Sequence, residues 1–348
     1  MMGTANQNQE KPLLEVRNLK EYFKIPGKGL LHAIDDISID IMPNETLGLV
    51  GESGCGKSTV GNVLTRLIDA TSGSVMFEGK DLLSLKGKEM KDVRKEIQMI
   101  FQDPYSSLNP RKTIRTILME PYLIHNPSMS KSEMEKKVEE IATLAGLETY
   151  VLNQYPHELD GGKRQMVGIA RALALEPKFI VCDEPVSSLD VSVQATVINL
   201  LMDLQKKLGL TYLFISHDLS VVRHISNRVA VMYLGQIVEL TDADTIFEDT
   251  LHPYSIALLS AVPKVEFEHK TKRIVLQGDV PSPLNPSDVG CRFANRCWMA
   301  CEDCKKNTPQ LTEVKPGHFV KCPYWNKSQE NAAEILKKLE ESDASESA

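Results

Sequence analysis

The chain has 348 residues, a length that allows two domains or one domain with appendages. Its 42% hydrophobic and 25% charged residues are typical of a globular protein, and a net charge of −7 argues against a nucleic-acid partner, which a basic surface would favour. No stretch approaches about 18 uninterrupted apolar residues and the N-terminus has no apolar signal core, so we expect neither a membrane-spanning helix nor export.

The first half of the chain predicts strands followed by helices. Residues 1–12 are polar and are expected to be disordered. From Leu13 to Val50 the segments LLEVRNL and ISIDIMP alternate apolar and polar residues, and TLGLVG is a short apolar run, which predicts strands. A helix is expected from Lys57, and residues 130–146 begin at a serine cap and stop at a glycine, as helices do.

The second half continues the alternation. Residues 164–175 and 191–208 predict helices, while FIVCDEP and YLFISHD are apolar runs with acidic ends, as buried parallel strands would be. Strands that alternate with helices indicate an α/β sheet. Residues 229–240 predict a closing hairpin with Gly235 at its turn.

Beyond residue 250 the composition changes. Pro281, Pro283 and Pro286 form a linker-like stretch, and five cysteines follow within 32 residues. In a chain that is not exported, such crowding indicates a metal site rather than disulfides. The tail over residues 327–348 is rich in Glu, Lys and Ser, which predicts either a solvated helix or disorder.

The segment from Gly51 to Thr59 predicts a phosphate-binding loop. GESGCGKST fits GxxxxGK[ST], and it follows an apolar strand and opens a helix, the context that this pattern requires. Glycines let backbone N–H groups approach phosphate oxygens, and the helix N-terminus adds partial positive charge. Lys57 can reach the β- and γ-phosphates, and the Ser58 hydroxyl can ligate Mg²⁺. The predicted phosphate-binding residues are Gly51, Glu52, Ser53, Gly54, Cys55, Gly56, Lys57, Ser58 and Thr59.

A second acidic element follows a predicted buried strand. Asp183 stands at the end of FIVCD, where it can hold Mg²⁺ through water, and Glu184 can orient and polarise an attacking water molecule. Taken alone, the pattern is better explained by a strand that ends in a solvated acidic turn. The phosphate loop in the same chain favours the catalytic interpretation.

Residues 13 to about 250 resemble the ATP-binding subunits of ABC transporters, with every motif of that family in order. The resemblance implies a P-loop cassette of residues 13–250, with a RecA-like core, an antiparallel β subdomain and an α-helical signature subdomain near residues 104–170. It implies that Phe23 stacks on adenine, with Tyr22 as the alternative. It implies that Gln102 is the Q-loop glutamine that helps to hold Mg²⁺ and that residues 159–163 are the signature segment. It further implies that Asp190 is the D-loop aspartate and His217 the switch histidine.

The match narrows to one branch of that family. GESGCGKST, FQDPYSSLNPR, LDVSVQA and the C-terminal cysteine pattern resemble the oligopeptide/dipeptide permease ATPases over residues 13–325, most closely the second, F-type ATPase of such operons. The resemblance implies a peripheral protein on the cytoplasmic face of the membrane. Its implied partners are a second ATPase subunit, two transmembrane permease subunits and an extracytoplasmic substrate-binding protein. Import of oligosaccharides or nickel by the same machine remains an alternative, as does a soluble ABC ATPase outside transport.

The signature segment departs from the family pattern. The family has LSGGQ, whose serine contacts the γ-phosphate of ATP in the partner subunit, whereas this chain has Leu159, Asp160, Gly161, Gly162 and Lys163. A carboxylate there would repel the phosphate by about 1 kcal/mol or more. Lys163 could offset the charge, and the two glycines could keep the site working. We expect a weakened signature, and hence a heterodimer with one competent and one degenerate site.

Four cysteines, Cys291, Cys297, Cys304 and Cys322, fall on the family's C-terminal pattern, and the resemblance implies that they hold a [4Fe-4S] cluster. Zinc and unliganded thiols are the alternatives. Cys301 lies off the pattern, and His318 is expected to be a packing residue. Residues 251–326 are therefore interpreted as an extension stabilised by a metal ligand. Nothing in the sequence places it near Lys57 or Glu184, so we expect its role to be structural only.

Overall fold

The computed structural model describes residues 11–262, 273–287 and 289–346. The expected disorder at the N-terminus thus falls almost wholly outside the described residues. The strands are β1 Leu14–Ile25, β2 Gly29–Ile41, β3 Thr46–Val50, β4 Ser72–Phe77, β5 Lys80–Asp81, β6 Ile97–Ile100, β7 Phe179–Asp183, β8 Thr211–Ile215, β9 Arg228–Tyr233, β10 Gln236–Asp242, β11 Thr312–Lys315 and β12 His318–Val320. The α-helices are α1 Lys57–Leu64, α2 Gly87–Glu96, α3 Pro104–Ser107, α4 Ile114–His125, α5 Lys131–Leu144, α6 Gly161–Leu173, α7 Val191–Leu208, α8 Leu219–Ile225, α9 Ala243–Glu248, α10 Pro253–Ser260, α11 Glu302–Lys306 and α12 Ser328–Glu346. Short 3₁₀ turns lie at Thr149–Asn153, Pro156–Glu158 and Trp325–Lys327.

The central sheet is α/β in character, as predicted. Its strand order is β11-β12-β10-β9-β3-β8-β7-β6, and β6, β7, β8, β3 and β9 run parallel. The predicted hairpin is confirmed, since β9 and β10 pair antiparallel around Gly235. A second, antiparallel sheet of order β2-β1-β4-β5 accounts for the alternating segments at the start of the chain.

The parallel strands are buried on both faces, which explains their unbroken apolar sequences. Leu213 and Ile215 of β8 face the core shared with the antiparallel sheet and α1. Tyr212 and Phe214 point to the opposite face, where helices α7 and α8 pack. Because β3, β7 and β8 are parallel, their carboxyl ends lie at one edge of the sheet, beside the start of α1.

A group of helices around α4, α5 and α6 has an apolar cluster of its own. The predicted helix at residues 130–146 is confirmed as α5, and Ser130 and Glu133 form a reciprocal capping box at its start. The helix predicted over residues 191–208 is confirmed as α7. The helix predicted from 164 begins three residues earlier, because Asp160 caps it.

The C-terminal extension packs onto the cassette sheet. Strand β12 pairs with β10 and so adds β12 and β11 to the sheet edge. His318 is buried as expected, and its Nε2 lies 2.8 Å from the carboxylate of Glu239, which is also buried. The proline stretch is joined to the cassette, because the carbonyl oxygen of Pro283 accepts the His32 N–H. The tail forms α12, the first of its two predicted alternatives. Across residues 11–262, 273–287 and 289–346, no helix has the length and apolarity needed to cross a membrane.

Candidate functional site

The phosphate loop joins the end of β3 to the start of α1. Gly56 has a φ of 107°, and a Cβ there would lie 2.1 Å from the carbonyl oxygen of Ala33, so only glycine fits. Nζ of Lys57 is buried and donates to the carbonyl oxygens of Gly51 and Glu52 at 2.9 and 3.1 Å. The loop itself therefore holds the lysine ammonium at a helix N-terminus, where an anion would be attracted.

Asp183 lies at the end of β7, facing the first turn of α1. Its Oδ1 accepts the hydroxyl of Ser58 at 2.9 Å. Burial raises the pKa of Asp183, and the Ser58 hydrogen bond opposes that effect. A cation beside the two side chains would stabilise the charged form of Asp183. The carboxylate of Asp183 and the hydroxyl of Ser58 are also the kind of oxygen ligands that Mg²⁺ prefers.

Glu184 is the next residue, and its backbone has an unusual φ of 45°. Strained non-glycine conformations of this kind occur at functional sites, where the surrounding structure holds them. Nε2 of Gln102 donates to one carboxylate oxygen of Glu184 at 2.8 Å, and Nδ1 of His217 lies 3.3 Å from the other. The carboxylate is thus held between two side chains, each from the end of a different parallel strand.

These side chains share one cavity of about 580 Å³. Phe23 lines the cavity, whereas Tyr22 stacks on His32 at 3.8 Å and hydrogen-bonds Asp35. Of the sequence-predicted site residues, the cavity wall includes Phe23, Ser53, Gly54, Gly56, Lys57, Ser58, Thr59, Gln102, Glu184 and His217. Gly51, Glu52, Cys55 and Asp183 are not part of the wall, although Asp183 contacts Ser58, which is, and Cys55 is buried.

The signature segment lies outside that cavity. Asp160 is the N-cap of α6, and its Oδ1 accepts the backbone N–H of Lys163 at 2.8 Å. Nζ of Lys163 lies 4.0 Å from the Asp160 carboxylate and donates to the Tyr150 hydroxyl at 3.1 Å. Asp160 therefore performs the capping that a serine would also perform.

The other predicted residues of this region also lie at or beside helix starts. Asp190 occupies the corresponding N-cap position of α7. Leu159 is buried, and Gly162 faces Val193 so closely that a Cβ would lie 2.5 Å away.

The four pattern cysteines line a second cavity of about 220 Å³. Burial raises the pKa of Cys297 to about 12 and that of Cys322 to about 11, and it raises the pKa of Cys291 as well. Cys301 is exposed, with its Sγ 3.5 Å from Cys304 Sγ. Within the described part of the chain, no three His, Cys, Asp or Glu side chains lie as they would around a metal ion. The predicted metal site is therefore not supported by the ligand arrangement.

The extension reaches the nucleotide cavity, although nothing in the sequence places it near Lys57 or Glu184. Pro283 lines that cavity, and Arg296, the residue before Cys297, forms an ion pair with Glu52 of the phosphate loop at 2.7 Å. Arg292 similarly pairs with Asp35 of β2. The sequence does not predict this contact, because it offers no local sign of a pairing across more than 200 residues. The two arginines between the cysteines were the only available hint.

Comparison with known proteins agrees with this geometry. Residues 34–187 match the ABC transporter family, and residues 238–304 match the family described as oligopeptide/dipeptide transporter, C-terminal region. The chain is 50% identical over 330 residues to the oligopeptide transport ATP-binding protein AppF of Bacillus subtilis, covering 92% of this chain and 99% of that protein. It is 48% identical over 329 residues to the oligopeptide transport ATP-binding protein OppF of Haemophilus influenzae, covering 92% and 98%.

Solved structures of ATP-binding cassettes are also similar. The dimeric, post-hydrolysis structure of the ATP-binding cassette MJ0796 bound to ADP and Pi has a TM-score of 0.61 and 28% identity, covering 66% of this chain and 98% of that chain. The structure of cbiO1 from Clostridium perfringens, part of the ABC transporter complex cbiONQ, has a TM-score of 0.62 and 26% identity, covering 69% and 92%.

Proposed function

This chain belongs to the ATP-binding subunits of oligopeptide ABC transporters, and we propose that the cavity beside its phosphate loop binds Mg-ATP and hydrolyses it to drive peptide import. The observation that carries the proposal is the Glu184 carboxylate, held between Gln102 and His217 in the cavity that Lys57 also lines. A carboxylate in that position can orient the attacking water molecule, and His217 can contact the γ-phosphate.

The ligand groups for ATP and Mg²⁺ follow from the same geometry. Phe23 offers a ring for stacking in the cavity wall, and the loop N–H groups and Lys57 receive the phosphates. Ser58, Gln102 and Asp183 supply oxygen donors for Mg²⁺. Bound Mg²⁺ would neutralise charge that develops on the transferred phosphate, and this chain's own residues position the ion and the water molecule.

We further propose that the signature segment acts on ATP held by a second, different ATPase subunit. The position of Asp160 outside the chain's own cavity supports a role across a dimer interface, and the similar cassette MJ0796 is dimeric. The exposed carboxylate of Asp160 supports an asymmetric pair, because it would face the phosphates of the partner's ATP. The chain's own Lys57, Glu184 and His217 match the family pattern, so the other site remains competent.

The permease is proposed to dock on a groove of about 630 Å³ beside the Gln102 loop. Phe101 lines this groove, together with Leu67 and Ile124, which are 54% and 57% exposed. Large apolar side chains exposed together on a soluble subunit indicate a protein contact. Because Gln102 follows Phe101, a permease segment seated there would adjoin the residue that holds Glu184. We propose on this basis a subunit that docks peripherally on the permease, and the family resemblance adds the cytoplasmic face of the membrane as its location.

The cysteine cavity is proposed to hold a [4Fe-4S] cluster. The four thiols line one cavity and are the ligand type that such a cluster requires, and a zinc ion would use the same residues. Burial favours the protonated thiols of these cysteines, whereas bound iron would favour their deprotonated thiolates. The cluster would join the segments that carry Cys291, Cys304 and Cys322.

The importer proposal is tested by co-expression of this chain with two permease subunits, a second ATPase and a substrate-binding protein. We expect a purified complex whose ATP hydrolysis rises when the binding protein carries a peptide. Stimulation by an oligosaccharide or by nickel, but not by peptides, would assign another cargo to the same machine. A chain that hydrolyses ATP fully without any membrane partner would instead favour a soluble ATPase.

The docking groove has its own control. Ile124→Asp should prevent co-purification with the permease subunits while leaving the ATP affinity of the isolated chain unchanged. Leu208→Asp alters an apolar residue of comparable exposure, 47%, at the end of α7. Its complex should form normally, and equal loss of assembly in both variants would contradict the proposed groove.

A further inference from the structure

Glu52, the second residue of the phosphate loop, is bound by the C-terminal extension. Nη1 and Nη2 of Arg296 donate to the two carboxylate oxygens of Glu52 at 2.7 and 3.2 Å. This two-bond arrangement is the strongest geometry available to an arginine and a carboxylate. The Arg296 side chain is only 8% exposed and that of Glu52 is 27% exposed, so water screens the pair weakly.

A buried aromatic cluster holds Arg296 in this position. Its guanidinium lies over the ring of Tyr233, at 5.9 Å from the centroid. Phe293, three residues earlier, packs edge-on against Tyr233 at 5.2 Å and against Tyr254 at 5.5 Å. The extension therefore presents Arg296 from a packed surface rather than from a mobile loop, which reduces the entropy lost when the ion pair forms.

The backbone of Glu52 is held from the same side. Its N–H donates to the hydroxyl of Tyr254, which is fully buried in α10, at 2.9 Å. Its carbonyl oxygen accepts from Lys57 Nζ. All the polar groups of Glu52 are thus engaged behind the loop, and the residue does not line the nucleotide cavity.

The negative charge of Glu52 connects its ion pair with Arg296 to nucleotide binding. An unpaired carboxylate in the phosphate loop would repel the triphosphate and could compete for Lys57. The Arg296 guanidinium neutralises that carboxylate and directs it away from the cavity.

We propose that Arg296 is a positioning residue for ATP binding, by which the C-terminal extension holds the phosphate loop through Glu52. This inference rests on the proposed ATPase function of the cavity, and it does not depend on which metal, if any, the cysteines bind. It gives the extension a part in nucleotide affinity as well as in stability.

The test is a double-mutant cycle on the full-length isolated chain, with the Kd for Mg-ATP measured by calorimetry. We expect Arg296→Gln to weaken ATP binding by about tenfold, since the loop then carries an unpaired, partly buried carboxylate. Glu52→Gln alone should weaken it by about twofold. The Arg296→Gln/Glu52→Gln double variant should bind nearly as well as Glu52→Gln alone, because the repelling carboxylate is gone.

The rescue separates positioning from a merely structural role, which would make the two effects add. Arg17→Gln is the matched control, because Arg17 and Asp40 form a two-bond pair on the exposed side of the antiparallel sheet. Its Kd should stay within about twofold of wild type. Should Arg296→Gln not fold, Arg296→Lys keeps the charge but loses the second bond, and we expect about a threefold weaker Kd.

Wild-type affinity in Arg296→Gln, or in Arg296→Lys where only that variant folds, would overturn the proposal. So would additive losses in the double variant. A wild-type chain that does not bind Mg-ATP at all would contradict the proposed ATPase function instead, and peptide specificity does not enter the measurement.

Discussion

The nucleotide cavity and the cysteine cavity of this chain are prepared for their ligands in opposite ways. Around the nucleotide cavity, Lys57, Asp183 and Glu184 each have a polar partner within the protein. Around the cysteine cavity, burial raises the pKa of Cys291, Cys297 and Cys322 and so favours their neutral thiols. The first site is preorganised, whereas the second would need a metal to become charged.

Secondary structure explains the difference. The nucleotide residues stand at the ends of parallel strands, whose register is fixed by the buried sheet. The cysteines lie on short segments that pack against the cassette, with Phe293 as their main fully buried anchor. A site built on strand ends keeps its geometry without ligand, while a site built on loops gains stability when a ligand joins them.

The largest effect expected from this comparison is on catalysis. Glu184→Gln should reduce ATP turnover by about 10²–10⁴-fold in the assembled transporter, because the amide cannot polarise the attacking water molecule. The Kd for Mg-ATP should change little, since Lys57 and the loop remain. Turnover is measured as phosphate release at saturating ATP. Glu248→Gln, at an exposed glutamate on α9, should retain full activity, and turnover within a few-fold of wild type in Glu184→Gln would refute the assignment.

Metal content is the next way to separate the two sites. We expect anaerobically purified protein to contain about four iron atoms per chain, and Cys297→Ser to lose them, because one thiolate ligand is missing. Cys301→Ser is the matched control and should keep its iron, since Cys301 does not line the cavity. Elemental analysis and absorbance near about 400 nm are the measurements. If the protein contains one zinc atom and no iron, the site is a zinc site and not a cluster. If it contains neither metal, both proposals are wrong.

Acid should weaken the region of the cysteine cavity through His252. Burial, with a contribution from Lys321, lowers the pKa of His252 to about 3, and its neutral Nδ1 accepts the Tyr254 N–H. The unfolded histidine has a pKa of about 6.5, so below that pH the unfolded chain binds a proton that the folded chain does not. Stability is therefore lost as pH falls from about 6.5 toward 3. At pH 5 the loss is about 2 kcal/mol.

Urea unfolding followed by tryptophan fluorescence measures this loss locally, because both tryptophans, Trp298 and Trp325, lie in the extension. Wild type should lose about 2 kcal/mol more than His252→Gln between pH 7 and pH 5. His224→Gln, at an exposed histidine on α8, should behave like wild type. Equal pH dependence in His252→Gln and wild type would show that His252 is not the responsible group.

Much of the nucleotide site could be predicted from the sequence because its signals are local. The glycine pattern of residues 51–59 and the acidic pair after FIVCD each report one strand end, and a parallel sheet brings such ends together. The ion pair between Arg296 and Glu52 has no such signal, since the partners are separated by 244 residues and meet only through packing of the extension.

The capping role of Asp160 was also missed, for a different physical reason. Aspartate and serine are nearly equivalent as helix N-caps. Aspartate in place of the family's serine at position 160 therefore predicts a loss of function when it is judged as part of the motif, but no change in helix stability when it is judged as a cap. Both effects act at one position. Only a variant that changes the charge and keeps the cap can separate them.

The smallest effect is expected at this signature segment, which belongs to the cassette but lies outside its preorganised cavity. Asp160→Asn removes the charge and keeps the N-cap, so the thermal midpoint should not change. The ATPase rate of a homodimer of this chain should rise about fivefold, because repulsion of the partner's phosphates by about 1 kcal/mol is removed. The double variant Asp160→Ser/Lys163→Gln should raise the ATPase rate at least as much.

Asp242→Asn, at the exposed N-cap of α9, is the control and should leave the ATPase rate unchanged. If the Asp160→Asn homodimer is no faster than wild type, the carboxylate is tolerated at the dimer interface, and the asymmetry between the two ATP sites would have to arise from the other subunit.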